Sequence, residues 1–73
     1  MAYSSSYVVN YLLGKGMQVK ERKTQSEKVI TVINPLTRKE AYIFYGHGDQ
    51  VIDQVVVLRV CNLLEVPLPP PER

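Results

Sequence analysis

The spacing of apolar residues changes several times along this chain, and each change marks an element. Tyr7, Val8, Tyr11 and Leu12 recur at helical intervals behind Ser4, Ser5 and Ser6, whose hydroxyls suit a helix N-cap. Gly14 and Gly16 follow, and glycine takes the left-handed conformation that closes a helix without steric cost. The pattern predicts a short helix over residues 5–14. From Met17 the interval drops to two: Met17 and Val19 alternate with Gln18, Lys20 and Arg22, as in a strand with one wet face. Thr24-Gln25-Ser26-Glu27 is polar and reads as a turn.

Val29-Ile30-Thr31-Val32-Ile33 is rich in β-branched residues and reads as a second strand, broken by Asn34-Pro35. After a loop over residues 36–39, Ala41-Tyr42-Ile43-Phe44-Tyr45 is the returning strand of a hairpin, ended by Gly46-His47-Gly48. Residues 50–65 abound in valine, but the stretch is long for a strand. Ile52, Val55, Val56, Val60, Leu63 and Leu64 follow helical spacing, and Asp49 and Asp53 suit a helix N-terminus. A second helix is expected there, capped by Asp49.

The predicted order α-β-β-β-α is an α+β fold: a two-layer sandwich, with a three-stranded antiparallel sheet and two helices on one face. A single domain is expected over residues 1–66. Residues 67–73 form a proline-rich tail with a P-x-x-P spacing from Pro67 to Pro70. Glu72 stands where proline-binding grooves usually want a basic flank, so the tail reads as a stiff, solvated terminus outside the core. Tyr7 and Tyr11 are expected to pack on the sheet.

Two strands are apolar on both sides. Val29 and Ile33 oppose Ile30 and Val32, and Ile43 and Tyr45 oppose Tyr42 and Phe44. Only one side can meet the helices, so the other is expected to be a protein interface formed by Tyr42, Phe44, Ile30 and Val32. A chain of 73 residues buries only about 60% of the surface it exposes when unfolded, and so thin a core favours a homodimer.

Charge sharpens the picture. Between residues 15 and 39 seven Lys and Arg face only Glu21 and Glu27, whereas from residue 40 onward Arg59 and Arg73 face five carboxylates. The net charge of +2 therefore hides a basic half and an acidic half. Lys20, Arg22, Lys23, Lys28, Arg38 and Lys39, brought to one strand-and-loop edge, would contact about four to six phosphates without reading a base. Glu21 and Glu27 dilute the patch, and a solvated basic surface that aids solubility is the competing account.

Catalytic chemistry finds little support. His47 is the lone histidine and Cys61 the lone cysteine, too few for the ligand cluster of a zinc site within one chain, and His47 reads as a turn residue. Asp49 and Asp53, one helical turn apart, read as helix N-terminal stabilisers and not as metal ligands. Cys61, the lone cysteine, lies in an apolar stretch, excludes internal disulfides and reads as a buried, inert thiol. Gly14-Lys15-Gly16 is too short for a dinucleotide loop. No cofactor, no metal and no enzymatic activity are expected. Residues 1–6 lack the basic and apolar regions of a secretory signal, and no run approaches the ~20 apolar residues of a membrane span, so a cytoplasmic protein with no membrane partner is expected.

The order of elements, the stretch Tyr11-Leu12-Leu13-Gly14-Lys15-Gly16-Met17, the basic hairpin and Tyr45-Gly46-His47 resemble the HicA-type toxins. These are small double-stranded-RNA-binding-like domains that cleave messenger RNA. Their catalytic histidine belongs to a Gly-Ser-His at the entrance of the second strand, where this chain has Gln25-Ser26-Glu27-Lys28. The resemblance therefore implies the fold without the ribonuclease activity, because neither glutamate nor lysine replaces an imidazole with a pKa near 6.5. Two functions compete: a non-catalytic domain that binds RNA or duplex DNA through the basic edge, and a protein-interaction module using the aromatic sheet face.

Overall fold

The computed structural model describes residues 2–25, 27–46 and 51–71. Their elements run β1 (Ala2–Ser4), α1 (Ser5–Gly14), β2 (Gln18–Lys23), β3 (Glu27–Ile33), β4 (Glu40–Gly46), β5 (Val51–Asp53) and α2 (Gln54–Leu64). As expected, β2, β3 and β4 form an antiparallel meander with both helices on one face, an α+β fold. A separate antiparallel ribbon of β1 and β5, too short to announce itself in sequence, joins the chain start to the residues before α2. Each helix begins directly after one strand of this ribbon.

Local chemistry fixes the helix ends. The Ser4 hydroxyl accepts from the Tyr7 amide, capping α1 as the serine run predicted. At the other end Met17 N–H donates to Leu12 C=O and Gly16 N–H to Leu13 C=O, both at 3.0 Å, with Gly16 at φ 88°. This is a Schellman closure, and its apolar pair, Leu12 and Met17, is buried in the core. The same two bonds close α2, from Val66 to Cys61 and from Glu65 to Asn62, with Glu65 left-handed at φ 61°.

The second helix departs from its expected start. It is Asp53 that caps it, its carboxylate accepting from the Val55 amide at 2.9 Å; Asp49 lies outside the described residues. Asp53 therefore precedes the helix and does not stand on its face. Ile52 belongs to β5, so it does not set the helical phase. The buried stripe is Val57, Val60, Cys61 and Leu64, whereas Val55 and Leu63 are exposed.

Strand pairing decides which sheet face is inside. Val19, Val32 and Ala41 stand in one row, and Glu21, Ile30 and Ile43 in the next. Ile30, Val32, Ala41 and Ile43 are buried against Val8, Leu12 and the stripe of α2. This corrects the expected interface: Ile30 and Val32 face the helices, and only Tyr42 and Phe44 of that quartet lie on the open side. Because side chains alternate along a strand, the two pairs cannot share a face.

The tail also departs from expectation. Its carbonyls accept from three tyrosine hydroxyls: Tyr3 to Pro69 at 3.1 Å, Tyr7 to Pro70 at 2.7 Å and Tyr11 to Pro67 at 2.5 Å. Pro69 is fully buried. Far from a solvated terminus, residues 67–70 are strapped to α1 and β1. Burial raises the Tyr11 hydroxyl above its ordinary pKa of 10.0, with Cys61 and Tyr7 adding to the effect.

Two predictions follow from these contacts. Asn34 is a buried polar side chain whose amide donates to the Leu64 carbonyl at 2.8 Å, one of the α2 carbonyls without a helical partner, while its oxygen accepts from Leu36 N–H. Asn34→Ala should cost about 1–3 kcal/mol, lowering Tm by roughly 5–15 °C in a thermal melt. The second concerns pH. Because folding raises the Tyr11 pKa, its contribution is complete below pH 10 and is lost as pH climbs through the folded value; a phenolate cannot donate to Pro67. This contribution to stability should fall as pH rises above 10, and Tyr11→Phe should flatten that fall in a pH series of melts, while costing about 0.5–1 kcal/mol at neutral pH.

Candidate nucleic-acid interface

On the open side of the meander, antiparallel register sets basic residues of β2 across β3 from aromatic residues of β4. Lys20, Thr31 and Tyr42 form one row, and Arg22, Val29 and Phe44 the next. Tyr42 is 51% exposed and Phe44 59%, unusual values for rings at the centre of a strand. Their centroids lie 6.5 Å apart at 53°, a tilted pair. The Tyr42 hydroxyl donates to the Glu40 carboxylate at 2.9 Å. That bond and the carboxylate's charge push the phenol pKa up, and the nearby Arg22 guanidinium pulls it partly back. Val29 is only 5% exposed although it stands on the open side, screened between its lateral neighbours Arg22 and Phe44. Lys20, Arg22, Thr31 and Tyr42, together with the acidic Glu21, line a shallow depression at this edge.

The remaining members of the expected basic edge are scattered. Lys23 and Lys28 are cross-strand partners at the far end of β2, on the helix side of the sheet, and Lys28 Nζ lies 3.7 Å from Glu21. Arg38 and Lys39 sit on the β3–β4 connection, where Lys39 Nζ contacts the Glu65 carboxylate at 2.9 Å. The connection and Lys23 flank opposite ends of β2, about 17 Å apart along the strand. One edge does not collect all six; Lys20 and Arg22 alone join the aromatic pair. Thr31 belongs with them, and its lone polar side chain within the Val29–Ile33 run was the signal for the wet side of β3.

Other candidate chemistry is sparse. His47, Asp49 and the Ser26 of the Gln25-Ser26-Glu27-Lys28 stretch lie outside the described residues. Among the described residues, no group of three or more His, Cys, Asp and Glu could hold a metal ion, and no helix is long and apolar enough to cross a membrane. A cleft beside α1 is lined by Ser5, Ser6, Asn10, Glu21 and Lys28 among the described residues. No family model matches the chain, and no curated protein or solved structure matches it.

Cys61 is buried on the inner stripe of α2, and burial raises its thiol pKa. Thiolate is the reacting form, so a native thiol that is both hidden and protonated should be slow to label. Ellman's reagent at pH 8 should react with Cys61 at least about tenfold faster once denaturant opens the core. Equal rates with and without denaturant would contradict the buried placement.

Proposed function

We propose that this chain is a non-catalytic nucleic-acid-binding domain, that its working surface is the open face of the meander, and that it takes single strands. The supporting observation is the pairing of Lys20 and Arg22 with Tyr42 and Phe44 across β3 on a face that no other described element covers. Exposed rings accept unstacked bases from any sequence, and cations beside them meet the flanking phosphates. A duplex hides the flat faces of its bases, and two cations suffice for few of its phosphates. The resemblance to the HicA-type toxins supports RNA as the strand. A lone, buried cysteine fits the reducing cytoplasm.

Two phosphate contacts give an expected slope of about −1.4 in log affinity against log salt for a single strand. Arg22→Ala should roughly halve that slope, since it removes one of two contacts. Tyr42→Ala and Phe44→Ala should each weaken binding by about 5- to 150-fold, the loss of one stacked base. Lys39→Ala should change little, because that ammonium is engaged with Glu65 away from the face. Fluorescence anisotropy with a short labelled RNA at about 50 mM salt reads all four effects.

The exposure of Phe44 also favours a second reading, in which the same face joins two copies or a foreign protein. Salt separates the two. An apolar interface should survive higher salt, and light scattering would show a dimer that Phe44→Ala dissociates. No RNA binding at low salt together with such a dimer would retire the nucleic-acid reading.

A further inference from the structure

Three hydroxyls carried by β1 and α1 all donate to one segment, and that segment is rich in proline. Tyr3, Tyr7 and Tyr11 stand four residues apart and hydrogen-bond the carbonyls of Pro69, Pro70 and Pro67. The rings of Tyr3 and Tyr7 stack 5.9 Å apart at an interplanar angle of 5°. Pro69 is the one tail proline that is fully buried.

Each residue from 66 to 71 is either a proline or the residue before one. Proline fixes its own φ near −65° and pushes its predecessor toward extended conformations, so the segment is held near polyproline II before it docks. Such a helix makes no internal hydrogen bonds and presents its carbonyls outward. A surface that recognises it needs donors set beside flat aromatic walls, which is what the tyrosine row supplies. All three bonds go to main-chain oxygens, so the row senses conformation more than side-chain identity.

We infer that the row of Tyr3, Tyr7 and Tyr11 is a polyproline-binding groove, that the chain's own tail is its resident ligand, and that a proline-rich segment of another protein takes the groove when the tail is released. Release is feasible because Pro67, Leu68, Pro70 and Pro71 remain exposed and only Pro69 is enclosed. A tethered ligand competes at an effective concentration in the millimolar range, so the tail sets a threshold that weak visitors do not pass. The row lies on the helix side of the molecule, and the inference is independent of the nucleic-acid reading.

The test uses the full-length chain carrying Pro67→Gly, Pro69→Gly and Pro70→Gly, which removes the tail's preference for the groove. It is titrated with a peptide spanning residues 65–73 and, separately, with oligoproline. Backbone resonances of Tyr7 and Tyr11 should move and saturate with both peptides by about 1 mM, and the wild-type chain should respond at least about tenfold less. If the triple variant is unfolded alone, peptide should restore its folded spectrum, and the milder Pro69→Ala chain supplies the same titration. No saturable response from either variant overturns the inference. So does a response to the chain's own peptide but not to oligoproline, because the tail would then be an integral piece of this fold and not one ligand of a class.

Discussion

Two helices of ten and eleven residues can cover only one face of a three-stranded sheet, and the rest of this structure follows from that limit. At 1.5 Å per residue each helix is about 15–17 Å long, somewhat shorter than the roughly 20–23 Å of the six- and seven-residue strands beneath it. One layer of apolar contacts therefore forms, between Val8, Leu12 and the α2 stripe above and Ile30, Val32, Ala41 and Ile43 below. Packing dictates the inner positions of the strands. It places no such demand on the outer ones, where Lys20, Arg22, Thr31, Tyr42 and Phe44 stand.

So thin a core needs other sources of cohesion, and both come from the chain ends. The ribbon of β1 and β5 sets Tyr3 and Ile52 side by side and adds them to the core. The tail reaches back across 66 residues to the Tyr3 hydroxyl, and Pro69 is fully buried there. The meander is held by neighbours in sequence, whereas ribbon and strap are held by partners far apart. Closing long loops costs entropy that grows only slowly with length, so such distant contacts remain affordable in a small domain.

Much of the architecture was legible from spacing alone. The alternation of Met17 and Val19 with Gln18, Lys20 and Arg22 identified β2 and its wet side, and the glycines at positions 14 and 16 marked the end of α1. Other features required information that spacing does not hold. β1 and β5 contain three residues each, below the length at which periodicity can be seen, and β5 absorbed the first apolar residue assigned to the second helix. The inner face of β3 was ambiguous because both sides are apolar. Extending the wet side of β2 through antiparallel pairing to Thr31 and then Tyr42 would have resolved it. The docked tail was hidden for another reason: proline lacks an amide donor, but its carbonyl still seeks a partner, and three tyrosines at intervals of four were that partner.

The basic residues of β2 have a simpler explanation that must be weighed against ligand binding. β2 is an edge strand, and lysine or arginine there discourages pairing with a second sheet. Edge protection accounts for Lys20, Arg22 and Lys23 by itself. It does not account for Tyr42 and Phe44, which increase the apolar area of the same face and so work against solubility. Nor does it account for the hydrogen bond from Tyr42 to Glu40, which restrains a ring that no packing requires. Solvent-facing strand positions freed from the core are normally filled with polar side chains, as Gln18, Lys20 and Thr31 illustrate here. Tyr42 and Phe44 depart from that pattern together, at adjacent rows of one sheet and across β3 from Lys20 and Arg22. Under the proposed function the two rings would take flat bases and the two cations the phosphates between them, so a single ligand class would use the whole face.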